Sequence, residues 1–145
     1  MLKNIVEKFV HWLLTTDPRS AYHLGHRVYP VLAPQGATKA GADGISTFAV
    51  YRRLSTDRDT VDLTGLINTS HVELQVECYA DTYVAVREAG NAVFDVLASY
   101  TGDAYGSKIL SVVQSAESDE VAMPVDGKAT PIYALSQTFS IRLTE

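Results

Sequence analysis

The chain has 145 residues, 46% of them apolar and 20% charged, with a formal net charge of −5 and one cysteine. That length and balance describe one folded domain with one core, not a disordered chain. No apolar run approaches the ~18 residues that span a bilayer, and no basic cluster is present to grip nucleic-acid phosphates.

The N-terminal stretch does not read as a secretory signal, because Lys3, Glu7, Lys8 and His11 interrupt it. Instead Leu2, Ile5, Val6, Phe9, Val10, Leu13 and Leu14 recur at helical spacing along one stripe. Trp12 lies at the edge of that stripe, and Thr15 to Pro18 end the helix. Pro30 and Pro34 then bias their predecessors away from helix, so Arg27-Val28-Tyr29-Pro30-Val31-Leu32-Ala33-Pro34-Gln35-Gly36 reads as an extended, turning connector. Its Val28, Tyr29 and Leu32 need a surface to pack on.

A small Ala/Gly loop over residues 36–44 leads to a first strand over 45–54, with Phe48, Val50 and Arg52 on one side. Residues 55–70 are the least core-like segment, readable as a long loop or, if the hairpin extends, as a projecting β-arm. The strand over 72–79 is the clearest: Val72, Leu74, Val76 and Cys78 alternate with Glu73, Gln75, Glu77 and Tyr79. Asp81 or Thr82 caps a helix to about residue 99, with Val86, Ala89, Val93, Val96, Leu97 and Tyr100 inward. Residues 102–106 close it.

A third strand is expected over 108–114, followed by the acidic run Glu117, Asp119, Glu120 and a short strand over 121–125. The Asp126–Gly127 pair is a hairpin signal before the last strand, 132–143. Together these predict an α+β domain: two helices on one face of a four- to five-stranded antiparallel or mixed sheet. The opposite face, with Gln75, Ser136, Thr138 and Ser140, is left for water or a neighbouring subunit.

The search for chemistry comes up empty. Gly25, Gly36, Gly41 and Gly44 match neither a dinucleotide fingerprint nor a P-loop. His23 and His26 have no third ligand nearby and read as solvated histidines. His71, Glu73 and Glu77 form a polar strand row suited to cross-strand pairing. Cys78 points inward with no basic neighbour, as a small buried hydrophobe in a reducing interior, and as the lone cysteine it forms no internal disulfide. Asp57, Asp59 and Asp62 lack the glycine and glutamate that a calcium loop places at its sixth and twelfth positions. No catalytic, cofactor-binding or metal-binding residue is expected, and the chain does not read as an enzyme.

The 55–70 segment reads instead as an interaction element. Asp57, Arg58, Asp59 and Asp62 form a polar front that no core could bury. Leu63, Leu66 and Ile67 follow in a glycine-broken stretch, and exposed apolar groups of this kind call for a covering neighbour.

In their order of appearance, several of these motifs resemble one family over nearly the whole chain. They are Arg27-Val28-Tyr29-Pro30 with Ala33-Pro34-Gln35-Gly36 after a short helix, the Val50-Tyr51-Arg52-Arg53 strand, and the 72–79 strand leading into the helix near Asp81. The Asp126–Gly127 turn and the closing Phe139-Ser140-Ile141-Arg142-Leu143 complete the series. The family is the tail-completion, or tail-terminator, proteins of long-tailed phages. The resemblance implies a virion structural protein at the head-proximal end of the tail, made in the host cytoplasm. It implies a ring, usually six-fold, that ends the tail tube and joins it to a head-completion or neck protein. It implies no cofactor and no membrane, with duplex DNA passing through the lumen without specific binding.

Size agrees with a ring. A domain of this length is about 40 Å across, and six touching spheres enclose a hole one sphere wide, enough for a duplex of roughly 20 Å. Acidic lumen walls would let DNA slide, which makes Asp57, Asp59, Asp62, Glu117, Asp119 and Glu120 the lumen or rim candidates. The nearest alternative is another head–tail connector ring, a head-completion or neck protein. A more distant one is a small enzyme or ligand-binding domain using His71, Glu73 and Glu77.

Overall fold

A computed structural model describes residues 5–31, 47–60, 68–98, 100–122 and 132–144. Among these, three helices and six strands follow in the order α1 (Ile5–Thr16), α2 (Pro18–Leu24), β1 (Val28–Pro30), β2 (Phe48–Thr60), β3 (Asn68–Ala80), α3 (Tyr83–Leu97), β4 (Gly102–Ala104), β5 (Ser107–Ala122) and β6 (Ile132–Thr144). The strands form one mixed sheet in the order β1-β2-β3-β6-β5-β4. Only β1 runs parallel to its neighbour; every other pairing is antiparallel.

The apolar stripe of α1 is buried as its spacing requires: Ile5, Val6, Phe9, Val10, Leu13 and Leu14 face the sheet side. From α3, Val86, Ala89, Val93, Val96 and Leu97 join them. The sheet contributes Ala49, Tyr51, Val72, Leu74, Val76, Cys78, Leu135, Phe139, Ile141 and Leu143. Tyr100, just past α3, sets its ring against Phe9 with centroids 4.8 Å apart. Thr82 caps α3 by accepting a hydrogen bond from the Ala85 N–H at 3.1 Å. Gly90 lets α3 approach β6 closely: a Cβ there would fall 1.9 Å from Leu135 Cδ2.

The architecture is richer than the periodicity predicts, with six strands in place of four or five and three helices in place of two. The extra helix, α2, starts where α1 was expected simply to stop. Asp17 accepts from the Arg19 N–H at 2.9 Å, and Pro18 occupies the first helical turn. A Thr-Asp-Pro sequence therefore ends one helix and begins another. Ser20, fully buried, donates to the Leu14 carbonyl at 2.7 Å and seals the junction.

The connector at residues 28–30 is extended as expected, and it is also an edge strand. Val28, Tyr29 and Pro30 lie beside Ala49, Val50 and Tyr51. Residues 102–104, expected only to close the helix, form β4 against the start of β5.

Two longer corrections concern the candidate segments. The loop expected at 55–70 is strand at both described ends: β2 continues to Thr60 and β3 begins at Asn68, inside the sheet, since β6 flanks β3 as far as Thr69. The Thr60–Leu63 extension on which the β-arm alternative turned lies largely outside the described residues. Ser55, Thr56, Asp57, Arg58, Asp59 and Thr60 hide the strand because their letters carry no apolar alternation. The acidic run is likewise not a break between strands. β5 is one 16-residue strand, kept from smooth alternation by irregularities at Leu110 and Ser115. The Ser115 hydroxyl donates to the Thr138 carbonyl at 3.2 Å, which occupies one group of the bulge. The Asp126–Gly127 turn lies outside the described residues.

Candidate functional site

The helices cover one sheet face, and the other carries Phe48, Val50, Arg52, Gln75, Glu77, Tyr79, Ser136, Thr138 and Ser140. Phe48 stacks on Tyr79 with ring centroids 5.0 Å apart and planes 15° from parallel. With Val31, Val50, Arg52, Gln75 and Glu77 they line a half-open hollow of about 230 Å³. Its floor is a hydrogen-bond chain across three strands: Arg52 Nε donates to Gln75 Oε1 at 2.7 Å, and Gln75 Nε2 donates to Ser136 Oγ at 2.7 Å. Tyr79 donates its hydroxyl to Glu77. Val31, at the rim, holds a left-handed φ of 63° that a β-branched residue rarely adopts, tied by its N–H to the Tyr51 carbonyl at 2.8 Å.

Further along this face the His71 ring meets the Ser140 hydroxyl. A nucleophile–base pair needs converging donors for an oxyanion. β3 and β6 have a strand on each side, so their backbone N–H groups are taken by the ladder. Among the described residues, no free backbone donors converge on the His71–Ser140 pair. Among the described residues no group of three His, Cys, Asp or Glu side chains could hold a metal, and no helix is long and apolar enough to cross a membrane. Cys78 is fully buried, and burial pushes its thiol up to about 12.

Glu117 and Asp119 of the acidic run sit on the helix side of β5. Arg87 Nη1 lies 3.4 Å from Glu117 and 3.2 Å from Asp119. Tyr83 donates its hydroxyl to Asp119 at 3.0 Å, and Gln137 Nε2 donates to Glu117 at 3.1 Å. Hydrogen bonding from Gln137, then from Gln114 and Arg87, holds the Glu117 carboxyl below its ordinary range. Accepting from Tyr83, the Asp119 carboxylate in turn raises the Tyr83 hydroxyl. Glu117 and Asp119 thus anchor β5 to α3. Glu120 stands opposite Ala134 in the ladder.

The other candidates lie across the sheet. Asp57, Arg58 and Asp59 are β2 residues whose backbones face His71, Ser70 and Thr69. Asp62, Leu63, Leu66 and Ile67 lie outside the described residues. Two strands separate β2 from β5, so the two acidic groups form two places and not one. Sequence reasoning missed Tyr83, Arg87 and Gln137 as partners of the acidic run. Their signal was present: Tyr83 and Arg87 are four apart on α3, and Glu117 and Asp119 are two apart on a strand, each pair sharing a face.

No protein-family model matches the chain, and no curated protein does. Among solved structures 23 chains match. One is a chain from the virion of a native gene transfer agent particle, at a TM-score of 0.67 and 15% identity. The alignment covers 94% of this chain and 92% of that one. At that identity the likeness establishes a shared fold, nearly end to end.

Proposed function

We propose that this chain is a structural protein of a phage-like virion and, within it, the tail-completion protein. In this reading several copies, usually six in the family it resembles, close a ring that ends the tail tube. The ring joins the tube to the head-completion or neck protein, and genome DNA passes through its lumen. The observation that carries the reading is the fold likeness to a virion chain over 94% of the length, joined to the order of motifs from Arg27 to Leu143.

The 57–67 segment is the proposed contact with a neighbouring subunit or the tube: Asp57, Arg58, Asp59 and Asp62, with Leu63, Leu66 and Ile67 as its apolar part. Asp57, Asp59 and Asp62 remain the stronger lumen or rim candidates. Glu117 and Asp119 share an arginine, so less of their charge is available to repel phosphate.

Purified protein added to growing tail tubes tests the reading. It should stop elongation and appear as a ring at one tube end. Changing Leu63, Leu66 and Ile67 together to serine should leave the melting curve unchanged and abolish capping. Binding to the head-side connector and not to tubes would instead make the chain a neck ring. Binding to neither would refute the proposal.

A further inference from the structure

Two long strand edges, on opposite sides of the sheet, have no strand beside them among the described residues. β1 covers β2 only along Ala49, Val50 and Tyr51, which leaves the outer side of residues 52–60 open. β4 covers β5 only along Ser107, Lys108 and Ile109, which leaves residues 110–122 open. Leu54 on the first stretch and Val113 on the second are 45% and 59% exposed. An open edge presents a row of unpaired N–H and C=O groups to any strand that arrives, and lone chains blunt such edges with proline, with charged side chains, lysine above all, or with bulges. Neither stretch contains proline or lysine. Their irregularities, at Leu54 on β2 and at Leu110 and Ser115 on β5, leave residues 55–60 and 116–122 as unbroken ladder.

We propose that the open edge of β2 in one copy pairs, antiparallel, with the open edge of β5 in the next, so that the sheets join head to tail. The proposal rests on the ring reading above and names the joint that closes it. Three features of the sheet make a second copy of this chain the fitting occupant.

The first is strand direction. β2, β3, β6 and β5 are each antiparallel to the next, so the two outer long strands run in opposite directions. Rotation about an axis along the strands preserves those directions and brings β5 beside an oppositely running β2. The second is stagger. The register runs from Arg58 through Ser70 and Leu143 to Ile109, so β4 covers β5 at the end of the sheet where β2 is open. The open stretches are therefore offset diagonally, and joining them slides each copy along its neighbour, as the tilted strands of a closed barrel require. The third is charge. The β5 stretch carries Glu117, Asp119 and Glu120 and no base, only Arg87 of α3 offsetting the first two, whereas in the β2 stretch Arg52 and Arg58 balance Asp57 and Asp59, Arg53 being held by Glu7. Pairing β5 with β5 would set acid against acid. A head-to-tail joint also closes rings, which a two-fold joint cannot.

A mixing experiment tests the joint. Ala49 donates its N–H toward the β1 side, to the Arg27 carbonyl, so helix-side residues of β2 point their N–H outward. Thr56 is such a residue, its hydroxyl meeting the Arg53 guanidinium on the helix side. Gln114 is its counterpart on β5, where its amide reaches Glu117. Proline is tolerated at outward N–H positions of an edge strand and removes the donor. Native mass spectrometry should find rings for wild type and monomers for Thr56→Pro and for Gln114→Pro. An equal mixture of the two variants should give dimers that grow no further, because each contributes one intact edge. The Leu54→Lys and Val113→Lys pair, at exposed positions, should give the same pattern if either proline variant fails to fold.

Rings formed by any single variant would overturn the joint, as would folded variants whose mixture stays monomeric. A wild-type chain that remains monomeric at millimolar concentration would do the same. Variants that keep their rings but lose tube binding would assign the edges to a tube strand, also against the proposal. Rings that form through these edges and yet fail to stop tube growth would count against the tail-completion reading alone.

Discussion

The carboxylate of Glu7 on α1 receives both prongs of the Arg53 guanidinium on β2, with Nε at 2.7 Å and Nη2 at 2.8 Å. Both side chains are about a quarter exposed. Two parallel bonds fix the angle between helix and strand as well as their distance. A double-mutant cycle with Glu7→Gln and Arg53→Ala should therefore return a coupling of about 1 kcal/mol, the upper end for ion pairs that still see water. Additive single effects in denaturant melts would show the pair to be incidental.

Gly90 makes a second, tighter demand. Gly90→Ala gains helix propensity of about 1 kcal/mol, yet its new methyl would enter the space of Leu135, which is fully buried. Overpacking should win, with a net loss of roughly 1–2 kcal/mol in urea unfolding. Adding Leu135→Ala should cost less in the Gly90→Ala background than in wild type, since the two changes share one volume. Equal costs in both backgrounds would mean that the helix simply shifts.

Acid should loosen the link between β5 and α3. The Glu117 carboxyl is depressed in the folded state, so its contribution is present above the ordinary glutamate range and fades as pH falls through the lower, folded value. Wild type should thus lose stability on acidification more steeply than Glu117→Gln. Parallel pH profiles of melting temperature for the two proteins would remove Glu117 from the account.

Toward DNA the isolated protein should be indifferent. With a net charge of −5 and no basic block, it should show no binding to duplex at physiological salt in a mobility-shift titration. Tight binding that weakens steeply with salt would signal phosphate contacts the chain is not expected to make.

What the sequence discloses follows from where one face of an element is buried. Phe9 and Leu13 on α1, or Leu74 and Val76 on β3, repeat at the period of their element because a core on one side imposes it. Where that constraint lapses, so does legibility. β2 beyond Arg53 carries Ser55, Thr56, Asp57 and Arg58, whose polar letters resemble a loop although their backbones pair with β3. β5 hides behind its irregularities at Leu110 and Ser115, which shift the alternation twice. Val28, Tyr29 and Pro30 are too few to show any period. The candidate site fares similarly: its acidic members were visible as letters, but Arg87 and Tyr83 become their partners only once β5 is one continuous strand beneath α3.

The burial of Cys78 has a practical corollary for anyone handling the protein. Fully buried, with its thiol pushed up to about 12, it stays protonated at neutral pH and shielded from reagents, so it alkylates far more slowly than an exposed cysteine. Being the one cysteine in the chain, it leaves the protein behaving as a thiol-free template. A single cysteine introduced at an exposed position such as Ser55 or Ser118 can then carry a fluorophore or spin label cleanly, without first mutating the native one.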